Sequence, residues 1–260
     1  MKGGQDMEII NTMQRIEMKY IVNKEQLAYL KKALNEHMQI DKYGQTTILS
    51  LYYDTPNHRL VRASIEKPAF KEKIRLRSYG LAKSNHNVFL EIKRKADGLV
   101  YKRRVTLDEE TADKVIKNSY KTPICNQIAR EIDYFKSFYQ ELVPFILVIY
   151  DRTAYEEING DLRLTIDENP RYRLDHLDLH TSSEGIPLLE EGSAIIEIKV
   201  QEVMPLWLVS ILSKGNIYQS SFSKVGEAYK KEILSKVERK ENVWVHYSKS
   251  CPVMTKSLSH

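Results

Sequence analysis

The chain has 260 residues, room for one large domain or two small ones, and its 42% apolar content with 16 Tyr excludes an intrinsically disordered protein. No apolar run approaches the roughly 18 residues of a membrane-spanning helix, the longest being Pro144–Tyr150, and Met1–Asn11 is too polar for a signal peptide. The net charge of +5 is too small to name a partner, while Cys125 and Cys251 have no metal-type spacing and predict free thiols in a reducing, cytoplasmic setting.

Residues 1–13 read as an N-terminal extension, 14–241 as one domain and 242–260 as a tail without periodicity. Within the domain, eight segments alternate with period 2, which in a strand sends successive side chains to opposite faces. Arg15–Val22 sets Arg15, Glu17 and Lys19 against Ile16, Met18, Tyr20 and Val22. Asn23 then caps a predicted helix running to about Met38, with Leu27, Leu30, Ala33 and Leu34 on one side. Ile48–Asp54 follows, with Ser50, Tyr52 and Asp54 opposite Leu49, Leu51 and Tyr53. Phe70–Tyr79 aligns four cations, Lys71, Lys73, Arg75 and Arg77, on one face. Val88–Lys95 places Glu91, Lys93 and Lys95 together, and Leu99–Leu107 does the same for Lys102, Arg104 and Thr106.

Helices are predicted at Glu109–Tyr120, capped by Asp108, and from just after Pro123 to about Phe138. The last three strands are Ile146–Ala154 with Arg152, Leu162–Asp167 with Arg163 and Asp167, and Ala194–Val200 with Glu197 and Lys199. Val203–Leu212 and Ser223–Val237 are helical in period.

Collected, the charged faces carry thirteen cations and five carboxylates. One reading is an antiparallel sheet with that face in water. Four like charges along one strand repel, however, unless something negative lies among them, and the helices are available to cover the apolar faces. These two features favour an α+β fold in which an eight-stranded antiparallel barrel encloses a charged lumen, helices outside. A thin, strongly anionic ligand fits such a lumen.

The segments Arg15-Ile-Glu-Met-Lys-Tyr20, Leu51-Tyr-Tyr-Asp-Thr-Pro56, Lys73-Ile-Arg-Leu-Arg-Ser-Tyr-Gly80, Phe89-Leu-Glu-Ile-Lys93, Tyr150-Asp-Arg-Thr-Ala-Tyr155 and Ile196-Glu-Ile-Lys199 together resemble a known family. It is the polyphosphate polymerase (VTC) domain of the vacuolar transporter chaperone complex and its bacterial relatives, among the triphosphate tunnel metalloenzymes. The resemblance runs from about Arg15 to about Tyr229. It implies a tunnel for ATP and inorganic polyphosphate or triphosphate, with Mn²⁺ or Mg²⁺ as cofactor and transfer of the ATP γ-phosphate to a growing chain.

By that resemblance Lys19, Arg75, Arg77, Lys93, Arg152 and Lys199 are the catalytic cations, with Lys73, Lys102, Arg104, Arg163 and Lys224 binding substrate. Glu197 matches the metal-binding carboxylate, and Glu17 and Glu91 are further candidates. Arg15 stands where hydrolytic relatives carry the first Glu of Glu-x-Glu-x-Lys, which shifts the reading from hydrolysis towards polymerisation. Asp54, before Thr55-Pro56, is a turn former or a metal contact. No phosphate-gripping glycine loop occurs. Nucleic acid is not expected as a partner, since no platform for stacked bases is evident, and any membrane partner is left open. The competing readings are a triphosphate hydrolase of the same fold and a non-catalytic polyanion-binding module.

Overall fold

A computed structural model describes residues 16–234, apart from 67, 84–85, 98, 118–120, 125 and 202. Arg15, both cysteines and the C-terminal tail thus lie outside the described residues. The strands are β1 (Ile16–Val22), β2 (Met38–Asp54), β3 (Phe70–Tyr79), β4 (Asn87–Ala96), β5 (Leu99–Asp108), β6 (Val143–Glu157), β7 (Arg163–Arg173), β8 (Ile186–Pro187), β9 (Ala194–Val200) and β10 (Gln219–Ser220). The helices are α1 (Lys24–Leu34), α2 (Arg59–Glu66), α3 (Glu109–Ile116), α4 (Gln127–Tyr139), α5 (Leu206–Lys214) and α6 (Lys224–Tyr229), the last continuing into a π-helical turn at Lys230–Leu234.

The strands form one antiparallel sheet in the order β10-β1-β9-β7-β6-β2-β3-β4-β5, with β8 added beside β7. The expected closed barrel of eight strands is therefore corrected to an open sheet of ten. β10 pairs only with Lys19 and Tyr20 of β1, which leaves Ile16–Met18 as a free edge. β5 is the other edge, and side chains rather than backbone join the two: Glu17 of β1 reaches Lys102 of β5 at 3.2 Å and Lys93 of β4 at 3.8 Å. The sheet curls until its ends meet through charge.

Helices cover the outer face in two places. Leu27, Leu30 and Leu34 of α1, with Leu208 and Leu212 of α5, pack against Leu164, Ile166, Ile196 and Ile198. Leu30 and Leu34 are fully buried, each contributing roughly 1.5–3 kcal/mol. Ala112, Val115 and Ile116 of α3 and Ile132 and Phe135 of α4 pack over Leu49, Leu51, Ile74, Leu76 and Leu90. A third cluster lies inside the curl. Val61 of α2 and Val225, Ala228 and Tyr229 of α6 meet Ile48, Ile146, Val148 and Tyr172 there and fill part of the interior.

Local chemistry fixes the ends. Asn23 and Gln26 form a reciprocal capping box on α1, and Asp108 caps α3. α1 stops at Leu34, short of the expected Met38, because Met38–Ile40 already pair with Tyr155–Glu157 of β6. α2 was not foreseen. Asp54 creates it: its carboxylate accepts the N–H groups of Thr55, Leu60 and Val61 at 2.7–2.8 Å, satisfying the open end of the helix. With both oxygens so used and 1% of the residue exposed, Asp54 is a cap and not a metal contact.

A cationic cavity as the candidate active site

Because side chains alternate, the curl turns the charged faces of β1, β3, β4, β5 and β9 inward, while β2 and β6 add Tyr52, Tyr150 and Arg152. It encloses a cavity of about 520 Å³ lined by Lys19, Lys73, Arg75, Arg77, Lys93, Lys102, Arg104, Arg152, Lys199 and Lys224, together with Glu17, Glu91 and Glu197. Asp167 lies just beneath, fully buried. Arg103 also borders the cavity but is paired with Glu131 of α4, so ten cations face these four carboxylates, an excess of six positive charges.

The register stacks these groups in levels. Lys73, Lys93 and Lys102 are aligned across β3, β4 and β5, and Arg75, Glu91 and Arg104 form the next level. Each inward glutamate is gripped by three cations. Glu91 takes Arg75 at 2.7 Å, Arg77 at 3.7 Å and a short contact from Arg104. Glu197 takes Lys19 at 3.0 Å, Arg152 at 3.3 Å and Lys224 at 3.9 Å. Glu17 takes Lys102, Lys93 and, at 4.0 Å, Lys19. Asp167 receives two bonds from Arg152, at 2.5 and 2.7 Å, and one from Lys224 at 2.5 Å.

Two lysines stand apart: Lys73 and Lys199 have no carboxylate within ion-pair distance among the described residues. Lys73 instead donates to Ser223 Oγ at 3.0 Å, the same oxygen that accepts the Gly226 N–H as cap of α6. This contact ties β3 to the helix whose first residue is Lys224.

The charge density shows in the titration of its members. Burial pushes the Glu91 carboxyl up, but Arg75, Arg77 and Arg104 outweigh it and hold the group at about 2. Glu197 is held well below the usual range because Lys224, Lys19 and Arg152 together overcome its burial. Lys73 is brought down to about 8, first by burial and then by the surrounding cations. The Tyr52 hydroxyl, which burial alone would raise, falls to about 7 beside Arg75, Lys73 and Arg77. It accepts a hydrogen bond from Arg75 Nη1 at 2.8 Å.

Thirteen of the fourteen residues expected at the site line this cavity. The exception is Arg163, which is absent from the lining. It shares its face with Lys199 but sits at the outer end of β7, where its guanidinium, 49% exposed, is taken by Glu156. Tyr52, Tyr79, Tyr150 and Ser223, not expected as site residues, also line the cavity. For Tyr52 the signal was present, since it alternates with Leu51 and Tyr53.

A second groove of about 560 Å³ lies between β3–β4 and α4, beside Phe70, Arg94, Tyr134 and Phe138. Its charges are paired off locally, Arg94 with Glu72 at 2.8 Å and, nearby, Arg103 with Glu131 at 3.1 Å. It offers no comparable excess.

Residues 14–233 match the model of the VTC domain family. The chain is a VTC-domain protein. Solved structures agree on the fold. A putative adenylate cyclase from Bacillus halodurans is 17% identical with a TM-score of 0.52, the match covering 80% of this chain and 93% of that one. A putative adenylyl cyclase from Hippeastrum, described as having a dominant triphosphatase activity, is 19% identical with a TM-score of 0.50, covering 82% and 93%. No curated protein matches the chain. Among the described residues of this VTC domain, no helix is long and apolar enough to cross a membrane.

Proposed function

We propose that this VTC domain is an ATP-dependent polyphosphate polymerase, a metal-assisted phosphotransferase working in the cytoplasm. The observation that carries the reading is the excess of six positive charges enclosed in a cavity among paired strands. A phosphate chain supplies charge of the right sign in a narrow shape, and phosphoryl transfer is catalysed mainly by positioning and charge neutralisation. In the reaction, a terminal oxygen of polyphosphate forms a bond to the γ-phosphorus of ATP. The bond from that phosphorus to the β,γ-bridging oxygen breaks, and ADP leaves with that oxygen.

Arg75, Arg77 and Arg152 suit the transferring group, since a guanidinium fork holds phosphate oxygens bidentately. Lys19, Lys93, Lys102 and Lys199, mobile point charges, suit the chain. Lys73, which reaches Ser223, and Lys224, the next residue, both lie at the α6 N-terminus and suit phosphates bound beside it.

The donor set fits a Mg²⁺ or Mn²⁺ ion. The Lys19 ammonium lies between Glu197 and Glu17, a position where two carboxylates already share one cation. A hard divalent ion held by one or two carboxylates and completed by phosphate oxygens is the usual Mg²⁺ arrangement. Such an ion neutralises developing charge on the phosphates. Glu91 fits this role less well, since guanidinium groups of Arg75 and Arg104 hold its two oxygens at 2.8 Å, while the nearest cations to Glu17 and Glu197 stand at 3.2 and 3.0 Å. Among the described residues, no group of three or more His, Cys, Asp or Glu side chains is gathered.

The test is incubation of purified protein with ATP and Mn²⁺, with products resolved by chain length. A ladder with matching ADP is the expected result. Free phosphate without a ladder would replace this reading with a triphosphate hydrolase, and neither product with a polyanion-binding module.

A further inference from the structure

The cavity has two unlike ends. From Lys73 to Tyr79, β3 advances six residues, about 20 Å at 3.3 Å per residue. At the Lys73 end the neighbours are Lys93 and Lys102, with Glu17 and Lys199 across the seam. At the Tyr79 end the inward positions are aromatic. Phe89 follows Glu91 on the same face of β4, and Tyr79 follows Arg77 on β3. Their rings meet edge to face, with centroids 5.5 Å apart at 85°.

Arg104 locks this pair. Its guanidinium lies over the Phe89 ring at 4.4 Å from the centroid and donates to the Tyr79 hydroxyl at 3.3 Å, while its Nε donates to Glu91 at 2.8 Å. A flat cation and two rings are thereby fixed at one rim and tied through Glu91 to the level that holds Arg75. Tyr79 nonetheless remains 48% exposed and the Arg104 side chain 43%, although both border the cavity. Flat, fixed, half-exposed surfaces beside a phosphate-sized charge cluster are the features on which bases stack.

We propose that Tyr79, Phe89 and Arg104 form a nucleobase-stacking subsite, so that a nucleoside triphosphate enters base-outward at this rim. Its phosphates point along β3 towards Arg75 and Lys73. The lysine end is then left for the polyphosphate acceptor. This deepens the reading of the cavity as a triphosphate site and rests on it, but does not depend on polymerase activity.

The experiment measures equilibrium binding of ATP and of inorganic tripolyphosphate by calorimetry, on ice and at short times to avoid turnover, for the natural protein, Tyr79→Ala and Tyr79→Phe. Tyr79→Ala is expected to weaken ATP about tenfold, the order one stacked base contributes, and to leave tripolyphosphate within twofold. Tyr79→Phe, which keeps the ring, is expected to retain ATP affinity. Equal weakening of both ligands by Tyr79→Ala, or no weakening of ATP, would overturn the subsite. Loss of ATP selectivity in a protein that makes no polyphosphate ladder would instead uphold the subsite and remove only the polymerase assignment.

Discussion

Replacing Asp167 by Asn tests whether the carboxylates or the ligand hold the cationic interior together. Asp167 is fully buried and makes three bonds to Arg152 and Lys224, whose side chains are 17% and 11% exposed. Removing one member of a buried ionic group leaves the others uncompensated, at about 3–5 kcal/mol. Glu197 remains near both cations and Asn keeps one acceptor, so the lower end, about 3 kcal/mol, is expected. For a domain of this size each kcal/mol moves the melting temperature by about 2–4 °C, giving a fall of roughly 6–12 °C.

Ligand affinity should move the other way. For a phosphate bound about 6 Å from Asp167, deleting the negative charge at an effective dielectric of about 20 would remove close to 3 kcal/mol of repulsion. Tripolyphosphate should bind the variant at least tenfold more tightly and recover much of the lost stability. The pH profile supplies an independent sign. Burial raises the Asp167 carboxyl, but Lys224 and Arg152 pull it below its ordinary value. A depressed carboxyl stabilises the fold above its unfolded pKa, and that contribution disappears as pH falls through the folded value. Asp167→Asn should therefore flatten the acid limb of stability against pH. Thermal unfolding at several pH values with and without tripolyphosphate measures all three effects. A variant that melts within 2 °C of the natural protein and binds tripolyphosphate no better would refute the argument.

Three further outcomes are expected. Tripolyphosphate affinity, measured by calorimetry from pH 6 to 9.5, should fall in two steps. Tyr52 gains negative charge near pH 7 and Lys73 loses positive charge near pH 8; Tyr52→Phe should remove the lower step and Lys73→Arg the upper. Ser223→Ala takes away the α6 cap and the partner of Lys73, and should cost about 1 kcal/mol, seen as a small fall in melting temperature, with weaker tripolyphosphate binding. Arg163→Ala breaks only an exposed pair with Glu156. It should change stability by less than about 0.5 kcal/mol and leave product formation unaltered in the chain-length assay.

What the sequence revealed follows the clarity of its alternation. Alternation is clearest over Lys73–Arg77 and Ile196–Val200, and the strands Phe70–Tyr79 and Ala194–Val200 contain those residues. The polar stretch Gln39–Thr47 does not alternate, because a register shift interrupts its pairing with β6 and Gly44 there takes a positive φ. It still belongs to β2. Alternation also assigns a face but not a depth, so Arg163 has the expected inward face but lies outside the cavity it was expected to line. Nor does it reveal which side chains converge from different strands. Tyr79, Phe89 and Arg104 come from three strands, and nothing local to any of them announces an aromatic rim.

A closed barrel was expected, but that side chains and not backbone close the seam was equally hidden, and it bears on selectivity. With no backbone pairing between β1 and β5, ten cations would repel one another across an open seam. The carboxylates prevent this: Glu17 spans the gap, Glu91 gathers three guanidinium groups, and Glu197 with Asp167 gathers the rest. Any anion that enters must compete with these internal partners. Orthophosphate, small enough to span one level, should replace few contacts and leave each glutamate in command of its cations. A chain of phosphates reaches several levels at once, satisfying Arg75, Arg77 and Lys73 together with Lys93 or Lys224. If the cavity is the polyphosphate site proposed, this self-neutralisation should select for extended polyanions over single ones.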